Sequence, residues 1–195
     1  MKLFSLDTSF FPFNFSVVED GKLRELYYLS SEKKTLENLP EILSKHGVEL
    51  SCFDAFAVSV GVGYLTSLRI GVTFMKTVAY ILRKPIVPYE NLYLLGRFTP
   101  VESPKIPFLR VSTNLFYRVF EESVSEVRLY GGESLKGIGV GVSDLSGNWP
   151  GEGAFYHPFF PFSAYGGLYA WEFLQENPAG KSVFEIEPLY LKPPL

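Results

Sequence analysis

Gly61-Val62-Gly63-Tyr64-Leu65-Thr66-Ser67-Leu68-Arg69-Ile70-Gly71 stands between an apolar run, Asp54 to Val60, and a stretch that reads as helix from Leu68 to Leu82. The apolar run suits a strand in the middle of a sheet. Two glycines one residue apart let the backbone turn sharply and approach a neighbour closely. Thr66 or Ser67 is placed to cap the helix by accepting hydrogen bonds from its first free amides. Pro85 to Val87 then reads as a short strand, so the stretch sits inside a β-α-β unit of an α/β fold. A loop that opens a helix N-terminus also suits an anion, because free N–H groups and the helix dipole point at it. The stretch is thus either a phosphate cradle or a tight turn beneath a protein-binding helix.

Upstream, Lys2 to Leu6 reads as a buried strand ending at Asp7. Asn14 to Val18 and Leu23 to Leu29 flank Asp20-Gly21, a hairpin turn signal. Ser31 to His46 reads as a helix with Leu36, Leu39, Ile42 and Leu43 on one face. Gly47 is its stop, and Pro40 kinks or breaks it. The order is β-β-β-α-β-α-β. Phe98 to Pro107, with three prolines, reads as a joint. It separates an N-terminal lobe, residues 1–100, from a smaller C-terminal one, 101–195. Beyond it, Phe108 to Ser112, Leu115 to Glu121, Glu126 to Leu129 and Gly137 to Val142 read as strands. Ser163 to Gln175 is a helix interrupted by Gly166-Gly167, and Phe184 to Leu191 is extended.

The chain carries 18 Lys and Arg against 21 Asp and Glu, a net charge of −3. That balance gives no electrostatic reason for direct, tight nucleic-acid binding. Cys52 is the only cysteine, which excludes an internal disulfide and suits a reducing compartment. No N-terminal signal segment and no bilayer-spanning apolar stretch is read, so the expectation is a cytoplasmic chain with no membrane association. Hydrophobic residues make up 47% of the sequence, enough for a substantial core. Aromatic residues crowd the second half, most densely at Phe155 to Phe162, which reads as a loop packing rings onto a thin second lobe or as an exposed patch.

On the helix that follows the loop, Leu68, Val72, Met75, Ala79 and Leu82 fall along one side, and Ile70, Phe74, Val78 and Ile81 cover much of the rest. A helix so apolar around its circumference is buried on more than one side. One side rests on the sheet; the other needs a second lobe or another chain. With the Ser31–His46 helix it offers a candidate partner interface of Leu36, Leu39, Leu43, Arg69, Val72, Met75, Lys76, Val78 and Ala79. Arg69, a cation in a first helical turn, opposes the dipole and calls for a specific partner, Asp54 or Glu90 within the chain or a group on another protein.

These residues resemble the TsaB family, also called YeaZ-like proteins. Its members open with a strand and Asp-Thr-Ser, as Asp7-Thr8-Ser9 do here, and carry a signature close to G-P-G-S-F-T-G-[LV]-R-I-G. Thr66, Leu68, Arg69, Ile70 and Gly71 keep that signature; Val62, Tyr64, Leu65 and Ser67 depart from it. The family's closing phrase, P-x-Y-L-R, matches Pro188-Leu189-Tyr190-Leu191-Lys192. The family's D-A-R segment has become Arg110 to Asn114, so the chain reads as a divergent member. The resemblance implies the actin/sugar-kinase/Hsp70 ATPase fold, with two ribonuclease-H-like lobes, the second reduced. It implies a non-catalytic subunit supporting a TsaD-like enzyme in forming tRNA N6-threonylcarbamoyladenosine, with a TsaE-like ATPase as a further partner and a homodimer in isolation.

In nucleotide-binding relatives of that fold, a residue placed like Asp7 lies near phosphates and metal. That implies a candidate nucleotide site of Asp7, Thr8, Ser9, Gly61, Gly63 and Thr66, holding ATP or ADP with Mg at a subunit interface. The plainer readings are a strand-end Asx turn and no cofactor at all. A phosphoryl-transferring enzyme of the same fold, or a structural homodimer, are the alternatives to a partner subunit. His46 and His157 lack ligand spacing, so no metal site is read. Cys52 reads as a buried small hydrophobe. With no nucleophilic elbow, no catalytic residue is assigned.

Overall fold

The computed structural model describes residues 1–29 and 39–191. β1 (Lys2–Asp7) is buried from Leu3 onward and forms the centre of a five-stranded sheet. It pairs antiparallel with β2 (Phe13–Glu19), which in turn pairs antiparallel with β3 (Lys22–Leu29). Asp20 and Gly21, both at positive φ, close that hairpin, as the Asp-Gly pair predicts. On its other side β1 pairs parallel with β4 (Ala55–Gly61), and β4 with β5 (Ile86–Glu90), giving the order β3-β2-β1-β4-β5.

Both faces of this sheet are covered, which is why β4 is buried at every residue. α2 (Leu65–Leu82) and α1 (Leu39–Lys45) cover one face, where Leu39, Leu43, Val72, Met75 and Ala79 join Phe4, Leu6, Phe15 and Phe56 in one core cluster. Residues 31–38, which the helix reading included, lie outside the described residues, as does Leu36; Pro40 sits in the first turn of α1, where proline is tolerated. α2 has the length and composition of a membrane span, with mean hydropathy 1.2, but packs one face into this core.

The chain then builds the same topology again. β6 (Lys105–Val111) pairs antiparallel with β7 (Asn114–Tyr117), followed by β8 (Arg128–Leu129), and parallel with β9 (Ile138–Val142), followed by β10 (Ala154–His157). The order β10-β9-β6-β7-β8 repeats the first sheet strand for strand. The repeat is thinner: a loop replaces the helix before its fourth strand, and α4 (Ser143–Ser146) is one turn long. Gly139 and Gly141 leave room for Trp149, Phe108 and Ser146, so this Gly/Val strand is closely packed, as expected.

The final helix of each half crosses to the other. α3 (Asn91–Phe98), following β5, packs on β6 and β9; α5 (Phe162–Glu176), following β10, lies across all five strands of the first sheet. Gly167 in α5 sits where a Cβ would come within 2.7 Å of Val18, so this glycine, read as an interruption, is a contact point. After α5 the tail returns along the first lobe, where Leu189 N donates to Val60 O (2.8 Å) and Lys76 Nζ to Ile186 O (2.7 Å).

Candidate functional site

β1 delivers Asp7-Thr8-Ser9, all buried, to the Gly61–Ser67 loop. Thr8 Oγ1 donates to Ser67 O (2.9 Å), and Ser9 O accepts from Tyr64 N (2.9 Å). Asn91, at the start of α3, ties the two together: its Nδ2 donates to Ser9 Oγ (2.7 Å) and Val62 O (3.1 Å), while its Oδ1 accepts from Ser59 Oγ (3.0 Å). The approach is so close that a Cβ on Gly63 would fall 2.4 Å from Ser9, and one on Gly71 2.2 Å from Thr8. Only Gly61, at φ +122, needs the conformational freedom of glycine for the turn itself. α2 begins at Leu65 with Tyr64 as an N-cap that makes no side-chain bond, which corrects the expectation that Thr66 or Ser67 caps it. Both lie inside the first turn, and Thr66 points to solvent.

Asp7 is the unusual member of this cluster. Its Oδ1 accepts from Ser9 N (2.8 Å) and from Ser9 Oγ, whereas its Oδ2 is buried with no hydrogen-bond partner among the described residues. Burial pushes its carboxyl up to about 6; Ser9, with Asn14 and Ser59 nearby, opposes this. Asp7 forms the floor of a cleft of about 110 Å³ between the two sheets. Phe10, Phe11, Tyr28, Phe159, Phe160 and Phe162 line its walls, with Asp144 on the far side; no Lys or Arg is among the described lining residues. Ligand pockets run from about 300 Å³ upward. A nucleoside phosphate does not fit these residues, because the cleft is smaller, its charged groups among the described residues are acidic, and the Thr8 and Ser9 hydroxyls already donate to Ser67 O and to Asp7. The aromatic loop is thus mixed: Phe160 and Phe162 are buried, while Phe155 and Phe159 are exposed.

The interface residues read from the sequence separate into two groups. Leu39, Leu43, Val72, Met75 and Ala79 are buried in the chain's own core, so they cannot face a partner. Lys76 binds the tail carbonyl of Ile186, and Val78 is half-buried. Arg69 is exposed, but its guanidinium lies 5.5 Å from the Tyr190 ring rather than on a carboxylate. Asp54 accepts from Lys2 N instead, and Glu90 pairs with Arg118 (2.6 Å) while capping α3 through Leu92 N and Tyr93 N. The large apolar side chains left exposed on this side are Ile81 at 69%, Tyr80 at 63% and Phe184 of the tail at 78%, set among exposed Arg69, Thr73 and Thr77. Beside them a groove of about 420 Å³ runs between α1 and α2, lined by Pro40, Val48, Leu50, Phe74, Val78 and Ile81. Cys52 is exposed, contrary to its reading as a buried hydrophobe. His46 lies tilted against Tyr27 with ring centroids 5.3 Å apart, and His157 shares a hydrogen bond with Thr99 Oγ1 (2.7 Å).

Residues 28–110 match the model of the TsaD family, tRNA N6-adenosine threonylcarbamoyltransferase. A tRNA threonylcarbamoyladenosine biosynthesis protein TsaB from Haemophilus influenzae is 30% identical over 100 residues, 50% of this chain and 42% of that protein. YeaZ from Pseudomonas aeruginosa superposes with a TM-score of 0.66 at 19% identity, covering 97% of this chain and 99% of YeaZ. In sequence and in fold the chain is similar to TsaB/YeaZ-like proteins. A tRNA N6-adenosine threonylcarbamoyltransferase of Wigglesworthia glossinidia brevipalpis is 34% identical over 85 residues, 43% of this chain and 24% of that enzyme. The chain spans less than half the length of these curated relatives.

The sequence reading missed Asn14, Tyr28, Ser59 and Asn91. Asn91 carried a signal: an Asn directly after a buried strand, ahead of a Leu-rich run, at the helix start where polar side chains tie loops down.

Proposed function

We propose that this chain is a non-catalytic partner subunit, working in the cytoplasm, that supports a TsaD-like enzyme in forming N6-threonylcarbamoyladenosine in tRNA. The observation that carries this reading is the exposed apolar face of Tyr80, Ile81 and Phe184 beside the α1–α2 groove. Solitary exposed hydrophobics are ordinary, but a contiguous patch next to a groove marks an interaction surface. The partner is chosen by likeness. Residues 28–110, which include α1 and α2, match the TsaD model itself, and two similar lobes can pair through equivalent surfaces about an approximate two-fold axis. The same surface would let the chain pair with itself in isolation. The relationship to TsaB by name and to YeaZ by fold supports the same pathway. A TsaE-like ATPase would join the assembly elsewhere. The cluster at Asp7 supports a positioning scaffold better than a phosphoryl-transfer site, since its donors are already engaged within the chain: the Thr8 hydroxyl on Ser67 O, the Ser9 hydroxyl on the Asp7 carboxylate and the Tyr64 amide on Ser9 O.

Ile81→Glu combined with Tyr80→Glu tests this surface. Both side chains are exposed, so folding is retained and far-ultraviolet circular dichroism is unchanged. Affinity for a TsaD-like protein of the same organism, measured by calorimetry, falls at least tenfold, about 1.4 kcal/mol. Leu23→Glu, exposed on β3, leaves it unchanged. Wild-type affinity in the double variant would overturn the assignment.

A further inference from the structure

The cleft between the two lobes is built from features that an anion would not choose. Its floor is a carboxylate, Asp7, 1% exposed, with one oxygen unpaired. The Tyr28 hydroxyl on the same lining is also buried and unpaired, and the Ser163 hydroxyl nearby, beside lining residue Phe162, is a third such atom. Buried polar atoms in folded proteins are nearly all hydrogen-bonded, so orphans gathered in one place mark a missing partner. The walls are aromatic. The Tyr28 and Phe159 rings pack together with centroids 4.8 Å apart at one wall, and Phe160 is held by Phe162 and Tyr165. Phe11 and Phe159 are half-exposed at the mouth, so the space opens to solvent.

Ring faces are electronegative and attract cations. A carboxylate beneath them supplies the counter-charge, and Asp144 adds a second one on the other wall. We propose that the interlobe cleft binds a small organic ammonium ion, its nitrogen donating to Asp7 Oδ2 and the Tyr28 hydroxyl and its apolar body lying among Phe10, Phe159 and Phe160. Size limits the ligand. At about 10–15 Å³ for each water-sized group, 110 Å³ holds roughly eight of them. That fits a primary amine on a short alkyl or single-ring body and excludes a nucleotide. Among the described lining residues the titratable groups are Asp7, Tyr28 and Asp144, and at pH 8 Asp7 is ionised. The site is independent of the α2 surface, which lies on the other face of the first sheet.

The test titrates phenethylammonium chloride into the isotopically labelled full chain at pH 8, following backbone amide shifts. Saturable shifts are expected at Phe10, Asn14, Tyr28 and Leu145. The neutral isostere 2-phenylethanol binds at least tenfold more weakly, a comparison that requires no variant. Asp7→Asn weakens the ammonium at least tenfold. Phe159→Ala, at the exposed mouth, weakens it roughly two- to fivefold, the scale of one cation–π contact. The proposal is overturned if the alcohol binds as well as the ammonium, if Asp7→Asn leaves the affinity unchanged, if magnesium chloride alone gives the same shifts, or if the amine gives no saturable shift. Because the chain is tested alone, a negative result leaves the partner surface standing.

Discussion

Replacing Asp7 by Asn should stabilise this protein at neutral and alkaline pH. Asp7 is fully buried, its Oδ2 is unpaired, and burial raises its carboxyl from 3.8 to about 6. An acid whose folded-state value is raised favours folding only while protonated. Stability from this group is therefore complete below about pH 4 and is lost as pH rises through about 6. At 1.36 kcal/mol for each unit, the ionised form destabilises the fold by about 3 kcal/mol at pH 8, and by about half that at pH 5. Asn keeps an acceptor for Ser9 N and removes the charge, but its amide inherits the unpaired position, which costs about 1 kcal/mol. The net gain at pH 8 is about 2 kcal/mol, or about 4–8 °C in Tm for a chain of this size. Urea unfolding followed by circular dichroism at pH 8 and pH 5 measures it. The variant should gain most at pH 8, with m unchanged. Equal or lower stability at pH 8 would refute the picture of a desolvated, half-paired carboxylate.

The remaining predictions concern contacts. Gly71→Ala and Gly63→Ala should each destabilise by about 1–3 kcal/mol in thermal unfolding, because the new methyl meets Thr8 or the Ser9 backbone; Gly131→Ala, whose nearest neighbour is 3.4 Å away, should stay within about 0.5 kcal/mol. Met75→Ala should cost about 2–5 kcal/mol and Ile81→Ala under about 0.5 kcal/mol in the isolated chain, since one side chain is in the core and the other in solvent. Arg118→Met leaves the Glu90 carboxylate buried at the start of α3 without its cation, and urea unfolding should show a loss of about 3 kcal/mol.

Much of the first lobe was legible because its signals are local. An Asp-Gly pair between alternating runs gives a hairpin, an unbroken apolar run gives a central strand, and an amphipathic stretch gives α2. The resemblance on Asp7–Ser9 and Gly61–Gly71 led to the right fold. What sequence could not separate is which side of an all-round apolar helix meets its own chain. Met75 and Val72 look as suitable for a partner as Ile81 and Tyr80 until the sheet is in place. The start of α2 moved because Tyr64, a poor capping residue, is fixed by Ser9 O rather than by a side-chain cap. The second lobe was harder because its strands are short and its helices few. β10 lies in an aromatic loop with no alternation, and α4 is one turn long. The site's polar network was invisible for a different reason. Ser9, Ser59 and Asn91 are far apart in sequence and meet only where β1, β4 and β5 end together.

Whether the apolar face of α2 docks a TsaD-like enzyme is decided most directly by solution mass. The chain and a TsaD-like protein of the same organism, mixed and separated by size exclusion with light scattering, should give a species with the summed mass of the two proteins. That species should be lost when the chain carries Ile81→Glu and Tyr80→Glu. Two proteins that elute at their separate masses when mixed, or a complex indifferent to those substitutions, would contradict it.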